Sequence, residues 1–151
     1  MAWLNKPNPP IKNPIKDGKY VNIARVDDAL LWYISETAKA IKPSPAEVLI
    51  ADALMKYGAE FYQEVSFEGL RLPTYGYPRF DFLVMTKIPD FFLIEFDGAQ
   101  YHQTQEQLLR DRFKNDFCSM YNIALYRFDR RHYYKLDLHV ADVLKMEGVL
   151  K

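Results

Sequence analysis

Cysteine is almost missing from this 151-residue chain, where Cys118 stands alone. One thiol excludes an internal disulfide framework and a cysteine zinc site. Its position in a helical apolar pattern reads as a core thiol rather than a reactive one. Long apolar runs are missing as well. None approaches the roughly 18 residues that a membrane span needs, and nothing at the N-terminus resembles a signal peptide. The expectation is a cytosolic protein with no membrane partner. Net charge is also missing, because 20 Lys and Arg balance 20 Asp and Glu. A zero sum counts modestly against nucleic-acid binding, which favours a basic domain, but the distribution of charge counts for more. Lys6, Lys12, Lys16, Lys19 and Arg25 meet only Asp17 at the start of the chain. Arg110, Arg112, Lys114, Arg127, Arg130 and Arg131 crowd one stretch against Asp111, Asp116 and Asp129. Repeats, low-complexity segments, zinc fingers and a convincing helix-turn-helix are all lacking.

Apolar and aromatic residues are plentiful. At 49% hydrophobic and 15% aromatic, the chain has the material for one domain with a real core. Residues 1–26 hold Pro7, Pro9, Pro10 and Pro14 among lysines and read as an extended basic arm, either a frayed end or a strap on DNA or a partner. Residues 27–151 read as a single domain. A helix capped by Asp27 is expected to run to about Ile41, with Leu30, Leu31, Ile34, Ala38 and Ile41 as its stripe. Ser44-Pro45-Ala46-Glu47 opens a second helix through Val48, Leu49, Ala51, Leu54 and Met55, with Gly58 at its end. Strands are expected over Glu60–Phe67, Phe80–Met85, Phe91–Asp97 and Ile123–Phe128. A loop spans 68–78, with Arg71, Tyr75, Tyr77 and nearby Arg79 as a contact surface. Thr104 and Gln107 start a helix carrying Leu109, Phe113, Phe117 and Met120, and a last helix runs from Tyr133 to Met146 with Leu136, Val140, Val143 and Leu144 inward. The order α-α-β-β-β-α-β-α predicts an α/β fold. Its mixed sheet of about four strands is flanked by helices and closes with a right-handed parallel β-α-β unit.

The chemistry concentrates between Asp81 and His102. Residues at i and i+2 of a strand share a face, so Glu95 and Asp97 should project together, within reach of Asp81 on the neighbouring strand. Three carboxylates in an apolar setting repel one another unless a cation lies between them, and Mg²⁺ suits oxygen donors of this kind. That points to metal-assisted phosphodiester chemistry. Each residue also has a plain structural reading. Asp81 is alternatively a solvent-facing strand residue, Glu95 the partner of Arg127 in a buried salt bridge, and Asp97 the start of an Asp-Gly turn. Glu47 is equally accounted for by a capping box, and Asp111 with Lys114 by a simple ion pair on one helix face. Gly98 is expected to take a positive φ where the strand leaves the sheet.

The ordered set S-P-x-E from Ser44, D-F at Asp81, I-E-F-D-G-x-x-x-H from Ile94 to His102, D-x-x-K from Asp111 and R-F at Arg127 covers more than half of the chain. It resembles the PD-(D/E)XK nuclease superfamily, and within it the small very-short-patch-repair-type endonucleases. The resemblance implies a restriction-endonuclease-like core and a Mg²⁺-dependent DNA endonuclease in which Mn²⁺ substitutes. It implies metal ligands at Asp81, Glu95 and Glu47, and a catalytic set of Asp81, Glu95, Asp97, His102 and Lys114. Basic residues Arg71, Arg79, Arg110, Lys114, Arg130 and Arg131 would hold the DNA backbone. A homodimer or a nicking monomer, in the cytoplasm of a bacterial or phage-infected cell, is compatible with it. The chain departs from the pattern at one place: Asp97 stands where the superfamily has a lysine. Repair-type relatives share that loss and keep the Gly98 and His102 spacing, while others move the lysine to the next helix, where Lys114 stands. A catalytically inactive nucleic-acid or protein-binding module is the competing reading, and an RNA-directed nuclease is a third.

Overall fold

The computed structural model describes residues 23–25, 30–34, 44–67, 78–86, 90–98 and 104–151, the first two stretches by their backbone pairing. Strands β1 (Ile23–Arg25), β2 (Leu30–Ile34), β3 (Phe61–Phe67), β4 (Phe80–Met85), β5 (Phe91–Asp97) and β6 (Leu125–Asp129) form one sheet in chain order. Pairing is antiparallel from β1 to β5, and β5 and β6 are parallel. Helix α1 (Pro45–Lys56) precedes β3, α2 (Gln105–Met120) crosses from β5 to β6, and a 3₁₀ segment (Arg130–Lys135) leads into α3 (Leu136–Met146).

The α/β class, the mixed sheet and the α-β-β-β-α-β-α order from α1 onward match expectation. The helix expected from Asp27 to Ile41 does not form as such. Leu30–Ile34 is a strand on the free edge of β3, and the sheet has six strands rather than about four. Leu-Leu-Trp-Tyr-Ile is a short unbroken apolar run, which periodicity alone cannot assign, and its aromatic residues favour a strand. Ile23–Arg25, inside the stretch read as an arm, pairs with it. The rest of that arm lies outside the described residues, as do most of the expected 68–78 loop, with Arg71, Tyr75 and Tyr77, and His102.

The central strands are buried on both faces, and so read as continuous apolar runs rather than alternating ones. Val65, Phe67, Phe80, Leu83 and Leu93 make one core layer with Phe117 and Cys118 of α2. Phe82, Val84, Phe92 and Ile94 make the other with Ile50 and Leu54 of α1 and Val140 and Leu144 of α3. Ser44 caps α1, its Oγ accepting the Glu47 N–H at 3.2 Å, and Gly58 follows the helix with a φ of +73°. Thr104 and Gln107 form the expected reciprocal cap on α2. The inward residues of α3 are those expected.

The buried faces of α1 and α2 are narrow, and that of α2 differs from expectation. On α1 the buried face is Ala46, Ile50, Ala53 and Leu54, while Val48, Leu49 and Met55 are exposed. On α2 only Lys114, Phe117 and Cys118 are buried, and Leu109, Phe113 and Met120 face outward. The polar contacts of Asp111, Lys114 and Asn115 set the rotation of α2 ahead of its apolar stripe. Among the described residues no helix is long and apolar enough to cross a membrane. Phe82 is fully buried, so Phe82→Ala should cost about 3–5 kcal/mol in urea unfolding. Met120 is 76% exposed, so Met120→Ala should stay within about 0.5 kcal/mol. Equal losses would contradict this placement of α2.

Candidate metal and phosphodiester site

The site sits where β3 and β4 stop alternating. Tyr62 and Val65, three apart on β3, pack in the same core layer, and so do Phe80 and Leu83 on β4. Phe61 and Phe82 pack in the other layer. Each strand therefore slips its facing by one residue, at Glu64 and at Asp81. The register Gln63↔Phe82 and Val65↔Phe80 sets these two opposite each other. On β3 the cause is local: Glu64 has a φ of +54°. Such a conformation costs a non-glycine residue about 1–2 kcal/mol, and residues held this way cluster at functional sites.

On β4 the slip frees the Asp81 side chain to reach across the sheet. Ladder pairing with β5 stops at Phe82↔Ile94. Beyond it, the Phe96 N–H donates to Asp81 Oδ2 at 2.8 Å, so a carboxylate replaces a backbone carbonyl as the acceptor. Glu47 arrives from the first turn of α1, where the Ser44 hydroxyl donates to its Oε1 at 3.2 Å. Carboxylate oxygens of Glu47, Glu64 and Asp81 lie within 4.8 Å of one another. Glu47 therefore follows the Ser44 cap and also delivers its carboxylate to the group. Glu64 is the residue the sequence reading missed. Its position in an ordinary-looking strand, F-Y-Q-E-V-S-F, gave no hint of the positive φ that aims it inward.

A second trio, Glu95, Asp97 and Asp111, lies equally close, but cationic side chains already hold it. Lys114 Nζ donates to Glu95 Oε1 at 2.5 Å and to the Arg79 carbonyl at 2.6 Å. Arg127 Nη1 donates to Glu95 Oε2 at 2.9 Å and to Asp97 Oδ1 at 3.1 Å, and stands 3.8 Å from Asp111 Oδ1. Asn115 Oδ1 accepts from Nε and Nη2 of the same guanidinium and fixes its plane. The buried-salt-bridge reading of Glu95 is thus realised, with Lys114 as an additional partner. The Asp111–Lys114 ion pair is not, because Lys114 turns to Glu95. Lys114 is also withdrawn from the surface, 9% exposed, with its ammonium 5.1 Å from the centre of the Phe80 ring.

The electrostatics separate the two trios. Burial, then the Glu95 charge, pushes Asp81 up to about 8, against the Phe96 hydrogen bond. Burial and the neighbouring Glu47 likewise raise Glu64, opposed by the charges of Arg79 and Lys114. Burial also raises Glu95, opposed by Lys114 and Arg127. Among the described residues no cationic side chain is hydrogen-bonded to the first trio, whereas the second has Lys114 and Arg127 built in. Three hard oxygen donors with no cationic side chain hydrogen-bonded to them among the described residues suit Mg²⁺ or Mn²⁺. Of the predicted ligands, Glu47 and Asp81 fit such an ion together with Glu64, while Glu95 stands beside it with both oxygens engaged.

A cavity of about 360 Å³ opens over Asp81, Glu95, Asp97 and Lys114, with Arg110 in its wall. Gly98 also lines it. Gly98 does not take the expected positive φ, and a Cβ there would make only an ordinary 3.8 Å contact with the Phe96 ring. The strand leaves the sheet in a conformation open to any residue. Of the expected basic rim, Arg79 is half-buried near Glu64, and Arg130 and Arg131 are exposed.

The pH dependence follows with a definite sign. An acid whose pKa is raised from 3.8 to about 8 on folding makes the folded state bind the extra proton, so stability falls as pH rises across that window. Asp81→Asn should flatten that decline in thermal melts. An ion must displace the same proton, so Mn²⁺ affinity measured by calorimetry should climb with pH and level off near 8. A Mn²⁺ affinity that is flat between pH 6 and 8 would count against Asp81 as a ligand. Glu95→Gln should instead destabilise the fold, by about 3 kcal/mol in urea unfolding, because it leaves Lys114 and Arg127 without their shared buried partner. Comparison of the chain with protein-family models, with curated proteins and with solved structures gave no match to any of them.

Proposed function

We propose that this protein is a Mg²⁺- or Mn²⁺-dependent phosphodiesterase acting on DNA as an endonuclease. Glu47, Glu64 and Asp81 carry the reading: their carboxylate oxygens converge within 4.8 Å with no cationic side chain hydrogen-bonded to any of the three among the described residues. Like charges held this close in a partly buried setting are costly, and a divalent ion offsets that cost. When bound, such an ion supplies Lewis-acid polarisation of a phosphate and a more acidic water.

The chain's own side chains supply the rest. The Phe96 N–H fixes the orientation of Asp81. Lys114 and Arg127 balance the charge of Glu95, so that a phosphate meets a less repulsive wall. Lys114 thereby fills the charge-neutralising place of the lysine that Asp97 replaces. Arg110, in the cavity wall, is assigned to the phosphate backbone. His102 keeps its assignment as the proton-transfer group.

The engagement of both Glu95 oxygens favours one competing reading, a binding module that kept the fold without the chemistry. Supercoiled plasmid separates the two. With Mg²⁺ or Mn²⁺ the protein should convert it to nicked or linear DNA, and EDTA should stop the conversion. Asp81→Asn should lower the rate by at least about a hundredfold. Plasmid that stays supercoiled, although gel shift shows it bound, would replace the nuclease by the binding module.

A further inference from the structure

A larger trough, of about 1000 Å³, adjoins the acidic cavity and shares Phe96, Asp97 and Gly98 with it. The first turn of α1 forms one wall. The other is the 3₁₀ segment Arg-Arg-His-Tyr-Tyr-Lys, which contributes Arg130, Arg131, Tyr133 and Tyr134. The trough is at the upper end of the range for ligand clefts, about 300–1,000 Å³.

The segment is built to hold an aromatic ring outward. Asp129 caps it, accepting the Arg131 N–H at 2.9 Å, and the Asp129 N–H donates to His132 Nδ1 at 3.0 Å. His132 packs on Phe128 and on His139 of α3, with ring centres 5.6 and 4.7 Å away. Tyr133 packs against the core layer of α1 and α3. Tyr134 stands edge-on to it, 5.4 Å away at 85°, and is 94% exposed. A large ring anchored at its base and this exposed adds little to the packing among the described residues. Arg130 is exposed beside it. Arg131 is tethered by Asp129 at 2.7 Å but presents most of its surface to solvent.

We propose that this segment is a stacking platform for an unpaired nucleobase. The base lies on Tyr134, the flanking phosphates lie against Arg130 and Arg131, and the strand continues over Gly98 to the carboxylates. Cations beside a bare aromatic face match the alternation of phosphate and base along a single strand. Duplex DNA fits poorly, because neighbouring bases already cover each base face. Charge in the trough is uneven: Arg130 and Arg131 line it with Asp129, and Glu47 and Asp97 line the rest. The path of the strand rests on the phosphodiesterase reading, whereas the stacking contact does not.

Fluorescence anisotropy with a labelled single-stranded DNA in EDTA, where nothing is cut, tests it. The protein should bind this strand more tightly than the same sequence as a blunt duplex. Stacking on an aromatic side chain is worth about 1–3 kcal/mol per base, so Tyr134→Ala should weaken single-strand binding by about tenfold or more. Tyr134→Trp should restore it, and duplex binding should not change in either variant. Single-strand affinity that is unchanged in Tyr134→Ala, or lost equally in Tyr134→Trp, overturns the platform. So does a preference for the duplex. A protein that shows the Tyr134 dependence yet never cleaves loses the phosphodiesterase reading alone. One that cleaves without that dependence loses the platform alone.

Discussion

The buried Glu95 carboxylate, clasped between Lys114 and Arg127, ties side chains of three elements to one buried point. Lys114 comes from the crossover helix, Glu95 from the central strand and Arg127 from the parallel strand beside it. Replacing such a triad wholesale with apolar residues is often neutral, whereas removing one member is not. Its value here is therefore geometric as well as energetic. It sets the rotation of the crossover helix, and so decides that Leu109 and Phe113 face solvent while Asp111 and Asn115 face the sheet. It also keeps the charge of Glu95 balanced beside a cluster of acids that has no hydrogen-bonded cation among the described residues.

The second constraint is the paired loss of alternation at Glu64 and Asp81. A regular strand would have sent each carboxylate along a fixed face, and both faces of this sheet are filled with phenylalanine and aliphatic side chains. Shifting the phase by one residue in two neighbouring strands opens a polar notch in an apolar sheet without interrupting the register. The notch is placed at the end of the β4–β5 ladder, where Asp81 substitutes for a backbone acceptor. Strain at one residue thus aims Glu64 into the notch beside Asp81, and the capped start of α1 adds Glu47.

Strands β3 to β6, the two capped helix starts and the parallel closing unit could all be read from the amino acids, because caps, turn residues and apolar runs are local signals. Asp81, Glu95 and Asp97 were also identifiable, since charged residues in such runs are costly unless engaged, whereas Lys114 was singled out only by the resemblance to a family pattern. Three things were not readable. Leu30–Ile34 is too short and too uniformly apolar for its period to distinguish strand from helix, and the edge of β3 decided it. The outward face of α2 depends on hydrogen bonds to side chains far away in sequence. The role of Glu64 depends on a backbone angle that no residue pattern specifies. The division of the acids into a trio held by Lys114 and Arg127 and a trio without such partners likewise required the positions of those two cations.

Cys118 lies 3% exposed behind the sheet, and burial pushes its thiol up to about 12. At neutral pH almost none of it is thiolate, the form that reacts with maleimides and iodoacetamides. Because it is the chain's sole cysteine, a cysteine introduced anywhere on the surface would take up a fluorophore or spin probe with little background. The native sequence thus already suits site-specific distance measurements, with no need to mutate its own sulfhydryl first.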